Sequence, residues 1–528
     1  MSYEGFVYGV VTVFKKKRSK AAKNDSRADG IMIASNLKRF FVNPLITKQN
    51  RYIRLNREVT KMENKQDVII TLNDKEVKLP RTFKEKLLWL GPSLVLCSIA
   101  IGSGEAILTP YFASLYGIGL LWVPVMSALC KVFITERLAR YTLATGETFV
   151  HGLYHLPGPK GWAIVITFIP WIFIAFFLAV GWPLGVGAAF YGAVSYTGVE
   201  FADGGNLFVK IVALIVILLS MYLPVSRGGY KVVETICKIM IAIVVVAVFI
   251  CGVMLFPPIG EFFTNIVPWN VVDYKPTEIA NITTAIGYSG GGVMAISSYS
   301  YWVREKGYHL FGQQDYKATS KIFGMDLALA YIIQPICAIF IIICAGQILP
   351  QVGDVPNGRE IILITANMLG EPLGPWAKWI WLLGGAAILF STSVAVFDGW
   401  SRALADALKT LFNKKLASVS EMALRRAVVI FMGVGGIIFG VFGVSTPGTF
   451  VSWGSVLEGI IFYPIFGTLA IVICLKLLPK EKRGSTILTV LAILGVAYFL
   501  YVSISYLLGT WGIIDITSEH SIAEMVSI

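Results

Sequence analysis

Glu105 follows Gly102-Ser103-Gly104 in the stretch IAIGSGEAIL, with apolar residues on both sides. A carboxylate in such a run is expensive in a bilayer and by default marks an ion or substrate path. A second stretch of the same kind is YSGGGVMA, Tyr288 to Ala295, where Gly290, Gly291 and Gly292 precede Met294. Glycines there break a helix and free backbone groups that lipid cannot satisfy, so protein, water or a ligand must complete the bonding. Carbonyls ending the first halves, near Ile101 and Gly290, can hold cations, and amides opening the second halves, near Glu105 and Val293, favour anions. Glu458, in SWGSVLEGIIFYP, is a second deep acid and a candidate for a proton or cation path.

The remaining chemistry-bearing residues are less suggestive. All seven cysteines lie in apolar runs without CxxC spacing and read as free buried thiols. His151 and His155 are spaced for a metal on a helix, but HGLYHLPGP reads as a connection. Asp326 and Asp398 lie close to span ends and suit capping or pairing as well as proton conduction, and Glu136, Arg137 and Arg140 read as an ion-pair cluster. Asn281-Ile282-Thr283 matches a glycosylation sequon only formally. There is no Walker loop, nucleophile elbow or clustered His and Cys site, so a carrier is expected rather than an enzyme, and no cofactor is called for.

The elements that position these residues are membrane helices. Of 528 residues 56% are hydrophobic and only 15% charged, too little polar surface for a soluble core of this size. Eleven apolar runs are long enough to span, near 86–115, 118–142, 162–190, 207–225, 231–256, 279–303, 321–347, 376–408, 424–445, 449–477 and 485–509. The two glycine breaks fall in spans 1 and 6, five spans apart. Repeats of five spans have opposite topology, which brings the breaks face to face near mid-membrane. The expected layout is an N-terminal segment 1–83, a first repeat 84–256, a loop 257–278, a second repeat 279–477, and an eleventh helix with its tail over 478–528. Basic residues collect in alternate loops, among them REKGYHLFGQQDYKATSK and KTLFNKKLASVSEMALRR. The positive-inside rule then makes the N-terminus cytoplasmic and the C-terminus external, in a plasma (inner) membrane.

The formal net charge is +13. Residues 1–61 hold 14 Lys plus Arg and 4 Asp plus Glu, a balance of +10. Such an arm suits an anionic bilayer face, and no fold signal supports nucleic acid as a partner. Met62 opens MENKQDVIITLNDKEVKLP as an ordinary start would, so residues 1–61 also read as an upstream extension.

From about residue 84 to 510 the chain resembles the Nramp (natural resistance-associated macrophage protein) divalent-metal transporters. The likeness is carried by Leu90-Gly91-Pro92, by Ala144-Thr145-Gly146 with Arg140 before it, by Glu234 early in span 5, and by FGMDLALAYIIQP and FSTSVAVFDGW. The resemblance implies an all-α polytopic membrane protein with a LeuT-like fold, a 5+5 inverted repeat plus an eleventh helix, and it adds Glu234 to the candidate path. It also implies a metal site, at which this sequence departs from the family. Asp-Pro-Gly-Asn is replaced by Gly102-Ser103-Gly104-Glu105. Gly291 matches the carbonyl donor and Met294 the Met, Ile296 stands in the His position, and the third span lacks the family's acids.

Three readings follow. In the first, a divalent cation (Mn or Fe, or Mg) is the substrate at Glu105, the Gly291 carbonyl and Met294, with hydroxyls of Ser103, Ser289 or Thr392, and protons are the coupling ion. In the second, backbone amides of Gly102, Ser103 and Gly104 hold a small organic solute such as an amino acid. In the third, the protein is a receptor or scaffold without transport. The partners are thus a transported cation or solute and the lipid bilayer, with no oligomeric state assigned. A chain begun at Met62 is expected to keep the full-length protein's uptake activity in proteoliposomes; loss of uptake would make residues 1–61 functional.

Overall fold

In lipid every backbone N–H and C=O must find a partner within its own segment, and this requirement turns the long apolar runs into helices. The structure, a computed structural model, describes residues 69–72, 75–102, 104–226, 228–267, 279–352, 361–443, 450 and 454–510. Ser103, the basic arm, Met62 and the C-terminal tail lie outside them.

Each of the eleven runs contains helix. Span 1 comprises Pro92–Ala100, a π-helical turn at Gly104–Leu108 and Thr109–Tyr116. Spans 2, 4 and 5 are Trp122–Thr145, Asn206–Val225 and Gly229–Met254, and span 6 is split into Ile279–Tyr288 and Val293–Glu305. Spans 7, 8 and 9 are Tyr316–Val352, Ala377–Leu411 and Glu421–Val441. Span 10 has a π-helical turn at Glu458–Phe462 before Tyr463–Leu477, and span 11 is Thr486–Thr510. Among the described residues eight helices are by themselves long and apolar enough to cross a membrane. Span 2 has the length but carries Lys131, Glu136, Arg137 and Arg140.

Span 3 departs from the expectation of one continuous helix. It consists of Trp162–Leu178 and Gly181–Tyr196, because Pro183 has no N–H for the preceding turn and its ring clashes there. A short antiparallel hairpin, Ile69–Leu72 paired with Lys75–Lys78, precedes the bundle and was not anticipated.

Burial sorts the helices into an inner and an outer set. The apolar window of span 1 is 94% buried and that of span 8 78%, against 33% for span 4 and 39% for span 11. The broken span therefore sits in protein, where its loose backbone ends can be satisfied. Span 6 approaches span 10 at Gly287 and Gly459, where a Cβ on Gly459 would stand 3.1 Å from the Gly287 Cα; small residues allow such contact.

Charged groups concentrate at the end where spans 6 and 7 connect. Glu136 pairs with Arg137 and Arg140, and Asp398 with Arg402 and Arg425. Asp326 makes no such pair. Span 1 begins at Pro92 with Gly91, which lacks a side chain, as its cap, and Asp326 reaches over from span 7 in its place. Its carboxylate accepts from the Gly91 and Ser93 amides (both 3.1 Å), the Ser93 hydroxyl (2.8 Å) and the Tyr299 hydroxyl (2.8 Å). An acid at a helix N-terminus also meets the favourable end of its dipole. Asp326→Ala is expected to cost about 2–4 kcal/mol, since several buried donors lose their acceptor. A clear fall in the melting temperature of the detergent-solubilised protein checks this, and an unchanged value would remove Asp326 from its capping role.

Candidate functional site

The break in span 6 is made by two successive residues in the left-handed region, Gly290 (φ 82°) and Gly291 (φ 84°), a conformation that costs any residue with a Cβ. The carbonyls that the break releases are held by a side chain the sequence reading passed over. Lys131, fully buried in span 2, donates to the carbonyls of Gly287 (2.8 Å), Ser289 (2.5 Å) and Gly291 (3.2 Å). All three ammonium hydrogens are thereby used. Ser127, one helical turn earlier, adds its hydroxyl to the Ser289 carbonyl at 2.5 Å. The Tyr463 hydroxyl donates to the Gly291 carbonyl, and the Lys131 ammonium lies 4.6 Å from the centre of the Tyr463 ring.

Across the break, Val293–Glu305 opens at Gly292, which has no side chain to cap it. Glu458 takes that place, its carboxylate lying against Gly292 at the amide end of the half-helix. The fit is close enough that a Cβ on Gly292 would collide with that carboxylate. The π-helical turn beginning at Glu458 aims the acid inward, a common use of such turns.

The first break presses against the second. A Cβ on Gly104 would run into the Tyr288 ring, and one on Gly291 would lie 3.4 Å from the Ala100 Cβ. Glu105, fully buried, links the two directly by accepting from the Ser289 hydroxyl at 3.0 Å. It also accepts from Thr109 (2.5 Å) and the Gln334 amide nitrogen (2.8 Å), and the Tyr288 hydroxyl lies 3.0 Å from that of Thr109. Among the described residues Gln334 Oε1, also buried, has no hydrogen-bond donor. Thr392 of span 8 lies 2.7 Å from the Ser98 carbonyl and against Gly102, so it serves the first break's own loose carbonyl.

A cavity of about 60 Å³ lies between the breaks, bordered by Gly104, Tyr288, Gly291, Gly292, Glu458 and, from the kink of span 3, Trp182. Glu458 is the carboxylate that lines it. Of the expected residues, Gly104, Glu105, Gly290, Gly291, Met294 and Glu458 come together here, with Gly102 beside them. Met294 is buried in the first turn of Val293–Glu305, next to Gly292 but not among the residues that border the cavity. Glu234 does not join them; it is ion-paired at 2.7 Å with both Lys238 and Lys306 at the charged end of the bundle. His151 and His155 pair with Asp406 and Glu147, and among the described residues no three or more His, Cys, Asp or Glu side chains cluster as a metal site. Asn281 is buried and donates to the Tyr116 hydroxyl, which removes the formal sequon. Lys131 and Gln334 were legible as polar groups alone in apolar runs, MSALCKVF and YIIQPICA, and such groups are functional candidates by default.

Residues 101–509 match the family model described as natural resistance-associated macrophage protein-like. The chain belongs to this family. An uncharacterized protein of Pasteurella multocida is 22% identical over 423 residues, covering 79% of this chain and 91% of its own. Two solved structures of an Eremococcus coleocola manganese transporter also align. One, of a glutamate-to-glutamine mutant, has a TM-score of 0.58 at 13% identity, over 85% of this chain and 93% of its own. The other, a complex with an aromatic bis-isothiourea compound, has 0.59 at 12%, over 85% and 92%. The likeness establishes the all-α, LeuT-like fold of an integral membrane protein. Within it this member of the family keeps both breaks and closes the second with its own Lys131 and Glu458. Gly292→Ala is expected to push the Glu458 carboxylate away from the start of Val293–Glu305 and cost about 1–3 kcal/mol. Gly384→Ala, where an added Cβ meets nothing within 4 Å, leaves the melting temperature unchanged; equal melting of the two variants would contradict the Glu458 cap.

Proposed function

We propose that this chain is a secondary active transporter of a divalent cation, working by alternating access about the breaks in spans 1 and 6. The observation that carries the reading is charge: two carboxylates, Glu105 and Glu458, and one ammonium, Lys131, meet between the breaks and leave one formal negative charge in the membrane interior. Such an excess is balanced by a bound cation or by protons on the acids, the two species that a proton-coupled cation carrier exchanges. The cavity is small, with room for roughly four water-sized spheres, which suits an ion with a few waters better than an amino acid. The amides opening the second half of span 6 already face the Glu458 carboxylate, which disfavours a substrate carboxylate there.

The donors around the cavity are a carboxylate and backbone oxygens, a hard set that suits Mg²⁺ or Mn²⁺. The manganese transporters of similar fold support this class of substrate. No nucleotide-binding loop is present in the sequence, so an ion gradient supplies the energy, with protons as the coupling ion and Glu105 and Glu458 as their carriers. The basic-loop end is the cytoplasmic one. Uptake of Mn²⁺ and Mg²⁺ into proteoliposomes, with and without a pH gradient, tests the proposal. Wild type is expected to accumulate at least one of the two ions faster with the gradient, and Glu458→Gln to lower that rate about tenfold or more, roughly one charge-assisted contact. If wild type moves neither ion while amino acids or small carboxylates raise its melting temperature, the substrate is an organic solute instead.

A further inference from the structure

We propose that the Lys131 ammonium is a resident cation, which the transported cation must displace from the Gly291 carbonyl before it can bind. The inference rests on the cation reading above and names the step that admits the ion. Carbonyl oxygens at the end of a half-helix are what a transporter offers a coupling or substrate cation. Here that place is taken, since Gly287, Ser289 and Gly291 all accept from Lys131. Of the three contacts the one to Gly291 is the longest, 3.2 Å against 2.8 and 2.5 Å, and Gly291 is the one of the three that borders the cavity. An ion coordinated by Glu458 and the Gly291 carbonyl would therefore stand beside a fixed positive charge, in surroundings that screen little.

The neighbourhood offers the ammonium a second berth. Among the described residues Gln334 Oε1 is a buried acceptor without a donor, and its amide nitrogen already bonds Glu105. Gln334 Oε1 and the Lys131 Cδ both face Gly290, at 3.6 and 3.3 Å from the place a Cβ would occupy. A rotation of the flexible lysine stem thus carries the charge from the span 6 carbonyls toward Gln334 and Glu105, away from Glu458. Binding an ion at Glu458 and moving Lys131 toward Glu105 keep each carboxylate beside one positive charge. Without substrate the ammonium stays on the span 6 carbonyls and closes the break. Tyr463, which shares the Gly291 carbonyl, holds it in place while the ammonium leaves.

Titration calorimetry of Mn²⁺ into the purified full chain in detergent tests this. Lys131→Met removes the competitor, and it is expected to bind Mn²⁺ at least tenfold more tightly than wild type. Lys131→Arg keeps a charge that cannot be shed and is expected to bind no more tightly than wild type. A folded Lys131→Met protein, with a cooperative melting transition, that binds Mn²⁺ equally or more weakly overturns the proposal. Should Lys131→Met fail to fold, Gln334→Leu decides, because it deletes the second berth and leaves Lys131 in place. Its Mn²⁺ affinity is expected to drop about tenfold, and an unchanged affinity overturns the proposal. Absence of Mn²⁺ and Mg²⁺ binding in wild type and in both folded variants instead overturns the cation reading itself.

Discussion

The Lys131 ammonium satisfies the carbonyls that the break in span 6 releases. Hydrocarbon offers no donors, and an unpaired backbone carbonyl there costs several kcal/mol. Three carbonyls of one short segment share one charged donor, and Ser127 and Tyr463 complete the cage. Everything else at the site follows from that closure. The two left-handed glycines can hold their conformation, the half-helices can end in protein, and the first break can lie against Tyr288 and Ser289.

The opposite end of the same break uses a charge of opposite sign. Glu458 meets the amide end of the second half-helix as Lys131 meets the carbonyl end of the first, so each half-helix dipole faces the charge it prefers. The two side chains come from spans 10 and 2, which ties the break to two neighbouring helices. Charges at the loop end serve differently. Asp398 with its two arginines, Glu136 with Arg137 and Arg140, and Glu234 with its two lysines are paired within their own groups. Asp326 is bound by amides and hydroxyls. These clusters fasten helix ends together, and the charge left in excess lies at the breaks.

Much of the fold was legible in the chain because lipid imposes few options. An apolar run of about 20 residues must be a helix, and two glycine clusters five spans apart mark the broken pair. The interruption in span 3 lies just before Gly181-Trp182-Pro183, which marks it in the sequence, although the run was read as continuous. Glu105 and Glu458 stood out as deep acids. Glu234 joined the candidate path through the family resemblance, yet it has two lysine partners, one of them distant in the chain. Lys131 was passed over although a lone lysine in an apolar helix is as costly as a lone acid. Its target carbonyls belong to backbone some 160 residues away, and backbone groups leave no mark in a sequence pattern.

By itself the sequence determined which apolar runs are helical, the places where two of them break, and the presence of acids near those places. These are properties of single segments, set by hydropathy and by the conformations glycine and proline permit. Only the tertiary structure decided which groups close the breaks, that Glu105 meets Ser289 and Gln334, that Glu458 borders the cavity, and that Glu234 does not. Those outcomes depend on which helices touch and at what rotation, and a buried charge settles wherever the packed bundle presents an opposite dipole or charge within hydrogen-bond reach.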